Sequence, residues 1–252
     1  MKLTAQVPLW EKWNAKVLKN KEEEVGKREF ARGWRQQPLA TDDILFRPEH
    51  VEECIDSEAE LYFPGQENTF RGTFPESYKC FMGVDLAIAT KKSQGDFFCI
   101  SIIVCDKTTR RKTLVGMFRD RGLTFSEQIR KIELWADYFD PNLIMVENNA
   151  YQEAIVQELK RKTDLPVKSF TTNAVNKNDL ENGLPRMAVE FEKHNWTIPM
   201  MGEDERDLCG ILINELTSYP IGRHDDTMMA LWFARRAAID SISYVSKRIF
   251  VV

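Results

Sequence analysis

Three short stretches place carboxylates where a carboxylate is costly or has little local work to do. In "KCFMGVDLA" (79 to 87), Asp85 closes an apolar run of Cys80, Phe81, Met82 and Val84. In "LIMVE" (143 to 147), Glu147 closes another run with no helix to cap until "NAYQEA" begins. "GRHDDTMMALWFARRAA" sets Asp225 and Asp226 at the start of a helical pattern. Taken singly, Asp85 fits a turn aspartate bonding its own backbone, and Asp225 or Asp226 fits a helix cap favoured by the helix dipole. Taken together, three acidic clusters at the ends of apolar elements can meet at one point. Buried carboxylates that meet cannot all ionise without a cation. With only three histidines and no C-x-x-C pair in the chain, oxygen ligands predominate, which points to Mg²⁺ or Mn²⁺. Two such ions roughly 4 Å apart serve the attacking and leaving oxygens of a phosphodiester displacement. The chemistry implied is phosphodiester hydrolysis.

The elements that must position these acids are legible from periodicity. Strands are predicted at 79 to 87, 96 to 105 and 111 to 118, joined by the turn-like "KKSQG" and "KTTR" into an antiparallel meander. Thr124 and Glu127 form a capping-box pattern ahead of Phe125, Ile129, Ile132, Ala136 and Phe139 at helical spacing. "DPNLIMVEN" then reads as a buried strand, "AYQEAIVQELKRKT" as a helix and "LPVKSFTT" as a strand, an alternation that requires parallel strands with crossover helices. Helices at about 183 to 194, 203 to 217 and 225 to 240, with the short strand "WTIP", close the domain. The order is β-β-β-α-β-α-β in an α/β fold, flanked by helices. Residues 1 to 70 differ: Trp10, Trp13 and Val17 have helical spacing, and little period comes after them, so this part reads as a helical and irregular linker ahead of a domain at 71 to 252.

Composition narrows the class without choosing the partner. The chain has 252 residues and 43% apolar content, enough for a substantial core. Its apolar runs are too short to cross a bilayer and no secretory-type leader opens it, so a cytosolic protein without membrane association is expected. Five cysteines, odd in number and mostly in strand-like runs, predict neither disulfides nor structural zinc. A net charge of −4 does not advertise nucleic-acid binding, although "TKKSQ", "KTTRRKT" and "ELKRKT" are locally basic. No G-x-x-x-x-G-K-[ST] phosphate loop is present.

The order of elements, with acids after the first strand, after the fourth and on a final helix, resembles the ribonuclease H-like fold. More closely, "MGVDLA…GDFF", "LTFSEQIRKI", "NLIMVENNAYQEAIVQEL" and "GRHDDTMMALWFA" resemble the C-terminal nuclease domain of tailed-phage large terminase subunits, and "KREFARGWRQQPLATDDILFRPE" resembles the connection that follows the terminase ATPase domain. The resemblance spans most of residues 22 to 240. It implies a mixed sheet, an antiparallel three-strand meander plus parallel strands, and a two-metal endonuclease that cuts double-stranded concatemeric DNA during genome packaging. It also implies an ATPase domain on the same longer chain, a small terminase subunit and a portal as partners, and work at the procapsid in the host cytoplasm.

Carried onto this sequence, Asp85 would bridge two Mg²⁺ or Mn²⁺ ions, Glu147 would hold one, and Asp225 or Asp226 the other, with Asp96 an accessory acid. Lys177, Arg186 and His224 are candidates to hold DNA phosphates. Two positions depart from the family pattern. Lys177 and Arg186 are separated by "NDLENGLP" where many members keep a lysine and an arginine close together, and Met229 stands where many place a further ligand. Two other readings fit the same acids: a nuclease of the Holliday-junction-resolvase kind, and a non-catalytic packaging assembly module whose acids only cap and turn.

Overall fold

A computed structural model describes residues 44–65, 74–87, 96–147 and 153–249. The chain divides into two units, Met1–Ile44 and Leu45–Val252, and every described element belongs to the second. The helical spacing of Trp10, Trp13 and Val17, the basic "TKKSQ" turn and the start of "NAYQEA" lie outside the described residues.

The elements run α1 (Pro48–Glu52), β1 (Ile55–Asp56), β2 (Tyr78–Asp85), β3 (Phe97–Asp106), β4 (Lys112–Arg121), α2 (Phe125–Phe139), β5 (Leu143–Glu147), α3 (Glu153–Lys162), β6 (Val167–Phe170), α4 (Ala174–Lys177), α5 (Leu184–Glu192), β7 (Trp196–Pro199), α6 (Glu203–Ser218) and α7 (Asp226–Ile249). They form one seven-stranded mixed sheet in the order β1-β7-β4-β3-β2-β5-β6. β2, β3 and β4 make the antiparallel meander, while β5 joins β2 and β6 joins β5 in parallel. The expected α/β order is therefore present.

Local chemistry accounts for the boundaries. The Thr124 hydroxyl accepts from the Glu127 amide at 3.4 Å, and the Glu127 carboxylate accepts from the Thr124 amide at 2.8 Å, so the capping box starts α2 where the sequence places it. Asp140, in the left-handed region at φ 43°, ends that helix just before Pro141. The β3–β4 turn is tied by the Asp106 carboxylate, which accepts from the amides of Thr108 and Thr109 at 2.7 and 2.8 Å.

Alternation along the strands sorts side chains to two cores. Cys80, Met82 and Val84 of β2 join Ile144 and Val146 of β5 beneath α2 and α3. Phe81 and Met145 join the opposite core with α1, α5, α6 and α7. By the same parity Gly83, Asp85 and Glu147 face α7.

Residues 45 to 63 depart from the expected linker. Phe46, Val51, Cys54 and Leu61 are buried in the core beneath α5 and α7, and β1 pairs in parallel with β7. This stretch lacks a period because it is anchored by scattered apolar residues rather than by a face. By contacts this stretch belongs to the compact unit Leu45–Val252.

α7 lies unusually close to β2. A Cβ added at Gly83 would stand 2.1 Å from the Ala230 carbonyl oxygen and 2.2 Å from the Ala234 nitrogen, both backbone atoms. Small residues at Ala230 and Ala234 complete the contact, and Phe233 packs beside them. Farther along, Arg235 donates to both oxygens of Glu190 at 2.9 Å and to the Asn182 carbonyl at 2.8 Å, and Lys112 pairs with Glu190 at 3.2 Å. These contacts fix the first half of the helix.

Gly83→Ala is expected to lower the stability of the domain by about 1–3 kcal/mol, because backbone cannot step aside for the new methyl. Gly210→Ala in α6, where nothing lies within 4 Å, is expected to raise it by roughly 0.5–1 kcal/mol. Urea unfolding of the two variants checks both signs.

Candidate active site

The register of the sheet sets the first two acids. Val84 stands beside Val146 on the parallel strands β2 and β5, so the next residues, Asp85 and Glu147, end their strands side by side on the α7 face. The close approach at Gly83 then carries the first turn of α7, and Asp226 with it, over the ends of these strands. A cleft of about 230 Å³ opens there, lined by Asp85, Leu86, Asp96, Glu147, Lys177, Arg223, His224, Asp225, Asp226 and Met229. All three acidic clusters thus line one cleft.

Their environments differ in a way that separates chemistry from capping. Asp85 is buried, and burial first, then the charge of Glu147, a hydrogen bond to Glu147 and the charges of Asp226 and Asp225 push its carboxyl well above the usual range. Asp106, also at a strand end, is pulled the other way: the amides of Thr109 and Thr108 hold it below the usual range. Asp106 is what a turn aspartate looks like; Asp85 is surrounded by other acids.

Asp225 and Asp226 are equally distinct. The side chain of Asp225 is 44% exposed and lies 3.6 Å from the Lys177 ammonium, while its backbone carbonyl accepts from Met229 at 2.8 Å. The side chain of Asp226 is only 10% exposed. Its Oδ2 atom is buried without a hydrogen-bond partner, with His224 Nδ1 at 3.5 Å. Burial, then the charge of Glu215, pushes the Asp226 carboxyl up to about 6 against the opposing pull of His224. Neither aspartate carboxylate satisfies the helix terminus. The Glu215 carboxylate does so instead, accepting from the amides of Thr227 and Met228 at 2.8 and 3.1 Å and from the Thr227 hydroxyl.

The cationic rim is partly as expected. Lys177 and His224 line the cleft, and Arg223 joins them. His224 is held by the edge of the Phe97 ring, with centroids 5.4 Å apart, and lies 3.5 Å from Arg121 Nη2. Arg121 and Arg119 in turn stack on Phe97, 3.6 and 3.0 Å from its centroid. Arg186 is not brought to the cleft; it sits exposed on α5, whose buried residues Leu184, Met187 and Phe191 join the core beneath α7. Sequence reading missed Arg119 and Arg121 because a strand taken to end at 118 leaves them in a turn. It missed Glu215 because an acid in "LINELTS" looks like any acid on a helix face.

The donor set fits a hard divalent cation. Oxygen ligands from three segments face one cleft, and Asp226 brings a buried carboxylate oxygen that has no hydrogen-bond partner. Among the described residues no three Asp, Glu, His or Cys side chains enclose a single point as they stand. A divalent cation would neutralise the repulsion between ionised carboxylates and draw them onto a shared point.

The sheet order and flanking helices are those of the ribonuclease H-like fold, and the solved structures that the chain matches place it more narrowly. It aligns with the large terminase nuclease from thermophilic phage G20c with bound magnesium at a TM-score of 0.52 and 17% identity, covering 79% of this chain and 98% of that one. The same nuclease with bound zinc gives 0.51 and 17%, covering 76% and 97%. With bound cobalt it gives 0.50 and 16%, covering 79% and 98%. The chain has the fold of the large terminase nuclease domain. No family model and no curated protein matches it.

Because the carboxyl of folded Asp226 titrates near 6 rather than at the ordinary 3.8, the folded chain keeps a proton there that the unfolded chain has released. Its ionisation therefore opposes folding. The cost is absent below about pH 4, grows to about pH 6 and is constant above. In chelator, Asp226→Asn is expected to melt increasingly above the parent protein across that window, with a plateau by neutral pH. Paired thermal melts check this, and a difference independent of pH would refute it.

Proposed function

We propose that this chain is the nuclease part of a phage DNA-packaging terminase, a divalent-metal endonuclease that hydrolyses phosphodiester bonds of double-stranded DNA. One observation carries the reading: Asp85, Glu147 and Asp226 come from three separate segments to one cleft, and two of them are buried where an anion needs a cation. A packaging module whose acids only cap and turn does not account for this, since Glu215 takes the Thr227 and Met228 amides that Asp225, the residue before the helix, would otherwise cap, and Asp226 is already the first helical residue.

In this reading Asp85, Glu147 and Asp226 would hold two Mg²⁺ or Mn²⁺ ions, with Asp85 central because the charges of both other acids act on it. Bound there, the ions supply activation of the attacking water and stabilisation of charge on the leaving oxygen. Asp225, half-exposed and paired with Lys177, orients that lysine and stands behind Asp226 rather than replacing it. Lys177, Arg223 and His224 hold phosphate oxygens at the rim, and His224 is fixed for this by Phe97 and Arg121. Asp96, exposed at the cleft edge, is an accessory acid.

Contacts of this kind reach the DNA backbone rather than base edges, so cutting has little sequence preference. Concatemeric phage DNA is the substrate, and an ATPase domain on the same longer chain supplies the affinity that a net charge of −4 does not. A small terminase subunit and a portal complete the assembly, in the host cytoplasm. Among the described residues no helix is long and apolar enough to cross a membrane.

Plasmid DNA is expected to be nicked and cut with Mn²⁺ or Mg²⁺ and left intact in chelator; cleavage that persists in chelator would end the metal reading. Asp85→Asn and Glu147→Gln are expected to abolish cleavage without unfolding the protein. Asp226→Asn should lose both cleavage and the Mn²⁺-induced rise in melting temperature, which at about 100 times Kd corresponds to about 2.7 kcal/mol in the parent protein. Asp225→Asn should keep most of both.

A further inference from the structure

Glu215 is the most deeply buried carboxylate near the cleft, 3% exposed, yet it does not line it. It belongs to α6, and one of its oxygens, Oε2, is filled by three donors from the start of α7: the amides of Thr227 and Met228 and the Thr227 hydroxyl. Those amides belong to the second and third residues of α7, whose donors have no partner within their own helix. The other oxygen, Oε1, has no hydrogen bond and stands 3.9 Å from Arg119 Nη2. Arg119 lies opposite Cys99, and Cys99 opposite Asp85, so guanidinium and aspartate share one rung of the sheet. The Phe97 ring, 3.0 Å beneath the guanidinium, keeps Arg119 on that rung.

We infer that Glu215 is a positioning residue of the nuclease: it braces the first turn of α7 against the rung that carries Asp85, and so sets Asp226 at its working distance from Asp85 and Glu147. The inference rests on the metal-nuclease reading. Gly83 brings the second turn of α7 down on β2 by contact, but a contact one turn into a helix does not hold its fraying end. A charged acceptor on successive amides does, and it uses the favourable sign of the helix dipole. It also does the capping that the side chain of Asp225, the residue before the helix, would ordinarily do, and leaves Asp225 to pair with Lys177. Truncating Glu215 leaves the Thr227 and Met228 amides buried and unpaired, so the terminus shifts while β2 and β5 stay where they are.

The test is a Mn²⁺ titration of the full chain and of Glu215→Ala, Glu215→Gln and Thr227→Val, read both as the rise in melting temperature and as the rate of plasmid nicking. Glu215→Ala is expected to raise the half-saturating Mn²⁺ concentration roughly 10–100-fold, as loss of a group that orients a ligand does, with nicking recovered at high Mn²⁺. Glu215→Gln, which keeps an acceptor oxygen of the same reach, should stay within about threefold of the parent protein. Thr227→Val keeps both amides and loses the hydroxyl, so it should move half-saturation in the same direction by less; it carries the test if Glu215→Ala does not fold.

Variants that melt earlier in chelator but keep the parent's half-saturation would show a purely structural carboxylate and overturn the inference. Glu215→Gln losing its Mn²⁺ response as fully as Asp226→Asn would overturn it by making Glu215 itself a ligand. A parent protein that neither responds to Mn²⁺ nor nicks DNA would overturn the nuclease reading and this inference with it, an outcome distinct from the other two.

Discussion

The backbone of α7 rests on the backbone of β2 at Gly83, and the cleft depends on that contact. Side-chain packing between layers of secondary structure ordinarily keeps them about 10 Å apart. At Gly83 no side chain intervenes on the strand, and Ala230 and Ala234 present little on the helix. The first turn of α7 is thereby lowered to the level of the strand ends, two residues beyond Gly83, where Asp85 stands. The Arg235 pairing with Glu190 and the Glu215 bonds to Thr227 and Met228 hold the helix on either side of this point.

What that geometry produces is an electrostatic conflict. Asp85 and Asp226 are buried near one another and near Glu147 and Asp225, and both carboxyls are driven up, first by burial and then by neighbouring acids. Elsewhere the protein settles its charges locally. Glu190 is met by Arg235 and Lys112, and Asp106 by two amides of its own turn. Arg119 and Arg121 are stacked on Phe97 rather than paired with the acids of the cleft. Carboxyls without a local cation or amide to meet them are thus concentrated in the cleft. Such concentration of perturbed carboxyls is a mark of functional sites rather than of structural ion pairs.

Arg121, His224 and Phe97 add a second level of order. The Phe97 ring meets the guanidiniums of Arg119 and Arg121 and has the His224 imidazole at its edge, so it ties three flexible side chains together beside the cleft. Lys177, which also lines the cleft, is held by Asp225. The cleft therefore carries two buried acids, Asp85 and Asp226, beside more exposed cationic side chains.

Much of this was determined by sequence alone. Alternation in β2 and β5 decides which face Asp85 and Glu147 occupy, the Thr124 and Glu127 pair starts α2, and the alternation of strands and helices dictates the parallel pairing of β5 and β6. These are local properties, carried by residues within a turn or a strand of one another. Tertiary structure alone decided which of two adjacent aspartates is buried, since one residue along a helix rotates a side chain by about 100° and only the packed sheet gives that angle a meaning. It also decided that residues 45 to 63 belong to the core, that Arg186 stands away from the cleft, and that the cap of α7 comes from Glu215, twelve residues before the Thr227 it binds. Each of these depends on contacts between segments distant in sequence or on different elements. No periodicity records such contacts, because a residue that acts across a gap carries no mark of its partner.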